Sequence, residues 1–271
     1  GRPRSEIVVG DVRAAREFLR MTPAESGWRV IVVDPVEDMN PTAANALLKI
    51  LEEPPRNALL LLVSHKPGAL LPTIRSRCCR LALAPLREEV LNGLLARYLP
   101  ELSADERAAL TRLSGGSAGR ACDLAAGGGL DLYREIVALL QAGPPLDVER
   151  VYAFAEQIAR AARGGGEGAE TFRIASELLS ALVARLVRES VIESATAEAM
   201  PGEAVPGEGA LIRRLGAGGG LARRLALWDK ISRLFARAET ASLDRKHVIV
   251  TALLEIEAAA GPPDRHRVTR T

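Results

Sequence analysis

The chain has 271 residues, enough for two or three domains, and 48% of them are apolar while only 3% are aromatic, a balance rich in Ala, Leu, Arg and Glu that predicts a mostly helical protein. Its 36 basic and 34 acidic residues leave a net charge of +2, which excludes a global basic field and the tight autonomous nucleic-acid binding that accompanies one. Three cysteines, two of them the adjacent Cys78 and Cys79, and three scattered histidines (His65, His247, His266) supply neither a disulfide framework nor a zinc site; with no leader-like start and no apolar run of membrane-spanning length, the expectation is a soluble protein of the reducing cytoplasm.

Val12, Ala15, Phe18 and Leu19 share one helical face ahead of the first apolar run. Val30 to Val33 and Ala58 to Val63 are short, unbroken apolar runs, which predicts strands buried on both faces. The helix between them has both ends marked. Asn40 can cap it, Pro41 suits its first position, Ala44, Leu47, Leu48 and Leu51 recur at helical spacing, and Pro54 with Pro55 stops it. Strand, helix, strand at this spacing is a βαβ unit with parallel strands, and ligands of such sheets gather beyond the carboxyl ends of the strands. Asp34 and Ser64 directly follow the two strands there. An acid at that place is where P-loop hydrolases hold magnesium, and equally where a loop acid is solvated or caps the next turn.

The loop from Ser64 to Cys78 ends in a basic cluster of Arg75, Arg77 and Arg80, ahead of the strand-like run Leu81 to Ala84. A basic run is ordinarily a solvated face, and two of the three arginines are read so; Arg77 differs in lying between Ser76 and Cys78. From Pro85 the pattern is helical: Glu88 to Leu99, Ala104 to Leu113, Ser117 to Ala126, Leu130 to Gln141, Val148 to Arg163, Glu170 to Glu189, Leu221 to Glu239 and Arg245 to Ala260. Glycine clusters at Gly164 to Gly168 and Gly216 to Gly220 lack the Lys-Ser or Lys-Thr of a phosphate cradle and are read as loops. Ile249, Ala252, Leu253 and Ile256 form one stripe of the last helix, which Asp244 is placed to cap, and Trp228 with Phe235 is read as core rather than as a base-stacking platform.

The run NALLKILEEPP (Asn45 to Pro55), followed by an apolar strand, a short loop and Ser76-Arg77-Cys78, resembles the clamp-loader branch of the AAA+ proteins, and within it the δ′-type subunits of bacterial DNA polymerase III. The likeness continues to about Leu124 and returns at Ser242 to Leu254. It implies an α/β fold, a partial AAA+ parallel-sheet domain, followed by an all-α three-helix lid and an all-α helical collar. The domains are then 1–86, the C-terminal part of the AAA+ domain; 87–142, lid and linking helix; 143–262, collar; and 263–271, a disordered tail. No Gly-x-x-x-x-Gly-Lys-Ser/Thr occurs, so the chain is read as lacking the first part of its AAA+ domain, including any phosphate loop or zinc module there.

By the same resemblance Arg77, flanked by Ser76 and Cys78, is the finger projected into a neighbour's ATP site, where a guanidinium can fork onto phosphate oxygens. Asp34 is then a degenerate Walker-B acid and Ser64 a sensor-like residue. Pro35 stands where an ATPase carries its Walker-B glutamate, and Gly119 stands where the third lid helix presents an arginine, with Arg120 one position on. The implied protein is a non-catalytic subunit of a DNA-directed DNA polymerase holoenzyme, a nucleotidyltransferase complex that loads the sliding clamp on primed DNA. It would bind no cofactor or metal itself, ATP and Mg lying in the neighbouring subunit. Its partners would be γ/τ-type ATPase subunits, the δ subunit, the sliding clamp and, through the complex, primer-template DNA, in a hetero-oligomer with no membrane. An ATP-hydrolysing γ/τ-type subunit and a helical interaction scaffold are the alternatives.

Overall fold

A computed structural model describes residues 6–21, 27–163, 166–195, 202–240 and 243–260; the tail 263–271, expected to be disordered, lies outside the described residues. The chain divides into two units, Gly1–Leu83 and Ala84–Thr271. The first is α/β and the second is entirely helical among the described residues, as the sequence implies.

In the first unit α1 (Val9–Arg20) precedes β1 (Arg29–Val33), α2 (Pro41–Glu52) and β2 (Ala58–Leu62), and a single turn, α3 (Pro72–Arg75), follows. The strands pair in parallel, Arg29 opposite Ala58 through Val33 opposite Leu62. Asn40 caps α2, its side-chain oxygen accepting the Ala43 N–H at 2.9 Å, and Pro41 opens the helix without forfeiting a bond. The helix ends at Glu52 ahead of Pro54 and Pro55. Val12, Leu19, Val36, Ala43, Leu47, Ile50 and Ile74 form the core, with Ile31, Val33, Leu60 and Leu62 packed against it.

Two strand expectations are corrected. Both strands were expected to be buried on two faces, yet Val30, Val32, Leu59 and Leu61 are exposed. The reason is that one set of alternate strand residues meets the cluster formed by α1 and α2, while nothing among the described residues lies over the other set. Leu81 to Ala84 is not a strand either: a strand exists by pairing its backbone groups, the sheet contains only β1 and β2 among the described residues, and Leu81 and Leu83 are 83% and 86% exposed. Phe18 is also half-exposed, so the buried face of α1 is narrower than its apolar face.

The second unit contains α4 (Glu88–Tyr98), α5 (Ala104–Leu113), α6 (Ala118–Ala126), α7 (Gly129–Gln141), α8 (Val148–Arg163), α9 (Gly166–Ala195), α10 (Glu208–Ala217), α11 (Leu221–Thr240) and α12 (Arg245–Ala260). Ser103 and Glu106 close a capping box on α5, Ser117 caps α6, and the Asp244 carboxylate accepts the Lys246 N–H at 2.9 Å. Gly116 is required where the turn before α6 meets residues 85 and 86. Its φ is +86°, a Cβ there would fall 2.6 Å from that of Pro85, and its carbonyl accepts the Leu86 N–H.

One buried cluster runs through this unit from Leu91 to Ile256. Its axis is α9, where Ile174, Ala175, Leu178, Leu179, Leu182 and Val183 are buried and which packs on α7, α8, α10, α11 and α12. The stripe foreseen on α12 is present and wider, since Val248 and Val250 are buried as well. Three further expectations change. Gly166 and Gly168 lie in the first turn of a helix and Gly216 in the last turn of another, because α9 and α10 extend into both glycine clusters. Helix α10 was not foreseen. Trp228 is 46% exposed, so of the two aromatics on α11 only Phe235 is core.

Candidate functional site

The carboxyl ends of β1 and β2 carry the polar residues that the sequence singled out. Asp34 leaves β1 with its carboxylate largely in water, Oδ1 lying 4.0 Å from Nε2 of the equally exposed His65. Ser64 does not face it. The Ser64 hydroxyl donates to Oε1 of Glu37 at 2.5 Å, and the Lys66 N–H donates to the same oxygen at 2.6 Å. Burial raises the Glu37 pKa, but these hydrogen bonds outweigh it and hold the carboxyl at about 2. Glu37 thus ties the turn after β1 to the end of β2, together with the Val36 N–H donating to the Val63 carbonyl at 2.9 Å. Sequence reading missed Glu37; its signal was the place of the acid, three residues beyond Asp34 in the segment that leaves the sheet.

Arg77 is positioned by α3. Pro72 starts that turn, and Ile74, 3% exposed, anchors it in the core, so that Ser76 and Arg77 follow at the surface. The Ser76 hydroxyl donates to the Thr73 carbonyl at 3.1 Å. The Arg77 guanidinium donates through Nη1 to that same carbonyl at 3.0 Å and to Ser76 Oγ at 3.4 Å, and its Nη2 lies 2.8 Å from Oε1 of Glu52. Its acceptors are therefore Glu52, Thr73 and Ser76, and neither Asp34 nor Ser64 is among them. Arg75 and Arg80 are exposed. Cys78 and Cys79 are free and exposed, yet loss of hydration around the Cys78 sulfur, and then the adjacent Cys79, push the Cys78 thiol up. Such a thiol is a poor nucleophile.

A second polar cluster, which sequence reading did not find, is buried in the helical unit. Glu208 has no exposed surface; it accepts the Tyr133 hydroxyl at 2.5 Å and the Ala204 N–H at 2.6 Å, and lies 3.0 Å from Arg185 Nε. Burial first, and then the Glu208 carboxylate, push the Tyr133 hydroxyl far above its ordinary range. Arg214 forks onto Glu257 and also donates to the Leu140 carbonyl. The available signal was the apolar spacing of Leu211, Ile212 and Leu215 after Pro206 and Gly207, which marks α10 and so places Glu208 at its start. Beside these residues a cleft of about 160 Å³, lined by Leu186, Glu189, Ile212, Arg213 and Arg224 among others, is smaller than the ~300 Å³ at which ligand pockets begin. Among the described residues no three His, Cys, Asp or Glu side chains cluster as a metal site needs, and no helix is long and apolar enough to cross a membrane.

Residues 2–87 match the protein family described as DNA polymerase III, delta subunit. Over 111 residues the chain is 45% identical to DNA polymerase III subunit delta′ of Pseudomonas aeruginosa, a stretch covering 41% of this chain and 34% of that protein. It is 38% identical to the Escherichia coli delta′ subunit over 121 residues, 45% of this chain and 36% of that one. To subunit gamma/tau of Mycobacterium tuberculosis it is 37% identical over 89 residues, 33% of this chain and 15% of the relative. A solved gamma subunit-related protein of Thermotoga maritima shares 20% identity over 96% of this chain and 82% of its own, with a TM-score of 0.44, too loose a likeness to place any residue. The resemblance carried by Asn45 to Pro55 and Ser76 to Cys78 is borne out, both motifs lying inside the matched residues. The matched stretch spans about a third of the length of the delta′ relatives.

Proposed function

We propose that this chain serves in a bacterial DNA polymerase III clamp loader as a δ′-like, non-hydrolysing subunit that presents Arg77 to ATP bound on a neighbouring γ/τ-type subunit. The observation that carries this reading is the placement of Arg77: inside the family match, one turn beyond the core anchor Ile74, with its guanidinium 36% exposed at the surface. A guanidinium so placed can fork onto phosphate oxygens as negative charge shifts in transfer. By the resemblance, Pro35 and Gly119 stand where hydrolysing members of the branch are expected to carry a glutamate and an arginine, which supports a subunit that assists another's hydrolysis. In this reading residues 87–142 act as the lid and 143–262 as the collar that joins γ/τ-type subunits and δ, while the sliding clamp and primed DNA are met through the whole assembly.

Reconstitution tests it. Arg77→Ala should leave folding intact and lower clamp- and DNA-stimulated ATP hydrolysis by up to ~10³ at the one site it faces, with a smaller fall in the bulk rate because other sites continue. Arg77→Lys should rescue poorly, since an ammonium lacks the fork. Arg75→Ala controls for general loss of basic charge. Equal effects of Arg75→Ala and Arg77→Ala would replace the finger by diffuse electrostatics, and full clamp loading by the Arg77→Ala complex would remove it. The similarity to gamma/tau subunits favours a hydrolysing subunit as the second reading. Phosphate release by the isolated chain, lost on Asp34→Ala, would select it.

A further inference from the structure

Glu52 is the last residue of α2 and is followed by another acid, Glu53, at the helix end where the macrodipole favours cations. Helix chemistry alone gives no reason for a carboxylate there. Arg77, just beyond α3, adds a positive charge to that of Lys49 in the last turn of α2, with Nη2 at 2.8 Å from Glu52 Oε1. The same guanidinium bonds the carbonyl of Thr73, four residues earlier, so the side chain is folded back on its own unit. Both partners are partly in water, 36% and 49% exposed, which makes the pair a weak one. A polyphosphate offers several anionic oxygens in a geometry that a guanidinium fits in forked fashion, and competes with a single exposed carboxylate on favourable terms.

We infer that Glu52 is a positioning residue for Arg77, holding the guanidinium against α2 and α3 until a nucleotide phosphate on the adjacent subunit takes it over. This rests on the reading of Arg77 as the residue offered to a neighbour's ATP. The Arg77–Glu52 contact then opens as that neighbouring site fills. Because Arg77 must leave Glu52 both to bind the ground-state phosphate and to meet the transition state, Glu52 opposes the two equally. Its influence therefore falls on KM rather than on kcat.

The test uses the complex reconstituted from this subunit, γ/τ-type ATPase subunits and δ, with every ATP site except the one facing Arg77 inactivated in the partners. ATP turnover is measured for wild type, Glu52→Gln, Glu52→Asp, Arg77→Ala and the double variant Glu52→Gln/Arg77→Ala. Glu52→Gln should lower KM for ATP by about two- to five-fold, the weight of one exposed ion pair, with the turnover at saturating ATP little changed. Glu52→Asp should fall between Glu52→Gln and wild type, and Glu52→Gln should add nothing once Arg77 is alanine. An unchanged or raised KM, or a lowered kcat, in Glu52→Gln would overturn the inference while leaving the finger intact, provided that Arg77→Ala is impaired. An equal shift in the Arg77→Ala background would overturn it too, since Glu52 would then act without Arg77. If Arg77→Ala is itself silent, the finger reading fails and the inference fails with it.

Discussion

In the helical unit nearly every large aliphatic side chain described on α9 and α12 is withdrawn from water, whereas in residues 1–83 two residues of each strand and both leucines of the run 81–84 remain in it. Parallel strands are ordinarily covered on both faces, so the α/β unit keeps an apolar surface that its own helices do not close. The helical unit closes its core and then spends polar groups inside it, on Tyr133, Arg185 and Glu208. The difference separates two jobs. One unit has the interior of a scaffold, and the other holds charged residues at a surface, anchored by a few buried side chains such as Ile74 and Ile50.

The sharpest way to break this contrast is at Glu208. Glu208→Ala leaves Arg185 without its carboxylate and Tyr133 and the Ala204 N–H without their acceptor, and is expected to cost about 3–5 kcal/mol by chemical denaturation. A loss below ~1 kcal/mol would mean that this cluster is open to water. Next comes a matched pair of truncations. Leu182→Ala, at a fully buried site, should cost about 2–5 kcal/mol, and Leu61→Ala, at a half-exposed one, no more than ~0.5 kcal/mol. Comparable costs would show that the sheet face is covered in solution.

Acid and alkali should distinguish the units as well. The Glu37 carboxyl is held at about 2 against its usual 4.5, so its contribution is present above 4.5 and is lost as pH falls through about 2. Glu37→Gln should flatten that acid limb in amide exchange read from β1 and β2. The Tyr133 pKa is raised, so its contribution is present below the ordinary tyrosine range and is lost as pH rises through and beyond it; Tyr133→Phe should remove that alkaline limb from α7 and α10. The smallest effect is expected at Leu81→Ser, which removes an apolar side chain from water and should change stability by no more than ~0.5 kcal/mol.

Much of this was legible because local chemistry and global packing agree. Asn40, Pro41 and Pro54 mark α2 regardless of what surrounds it, and the periods of Leu and Ala mark α4 through α8 to within a residue or two. What escaped depends on partners distant in sequence. Nothing in Val30 to Val33 says whether one face or two will be covered, and an apolar run reads identically in both cases. Leu81 to Ala84 has the composition of a strand, but pairing decides. Gly166 and Gly168 lowered the expectation of helix by propensity alone, and the helix begins there anyway because α9 packs on α8 and α11. At the candidate site, Arg77 is singled out by its motif alone, while Glu52 and Glu37 are not, since each gains its meaning from a residue more than twenty positions away.

Helix α12 is the last described element and one of the most enclosed, with Val248, Ile249, Val250, Ala252, Leu253 and Ile256 all buried against α8, α9, α10 and α11. Those four helices precede α12 in the chain, so during synthesis they are made before the element that covers them. The helical unit therefore matures late, after synthesis has passed Ala260, and until then its nascent form exposes the flanks that α12 covers. Protease protection of chains stalled before Arg245 and of the released chain reads this directly: equal protection of α8 to α11 in both would show that they close without α12.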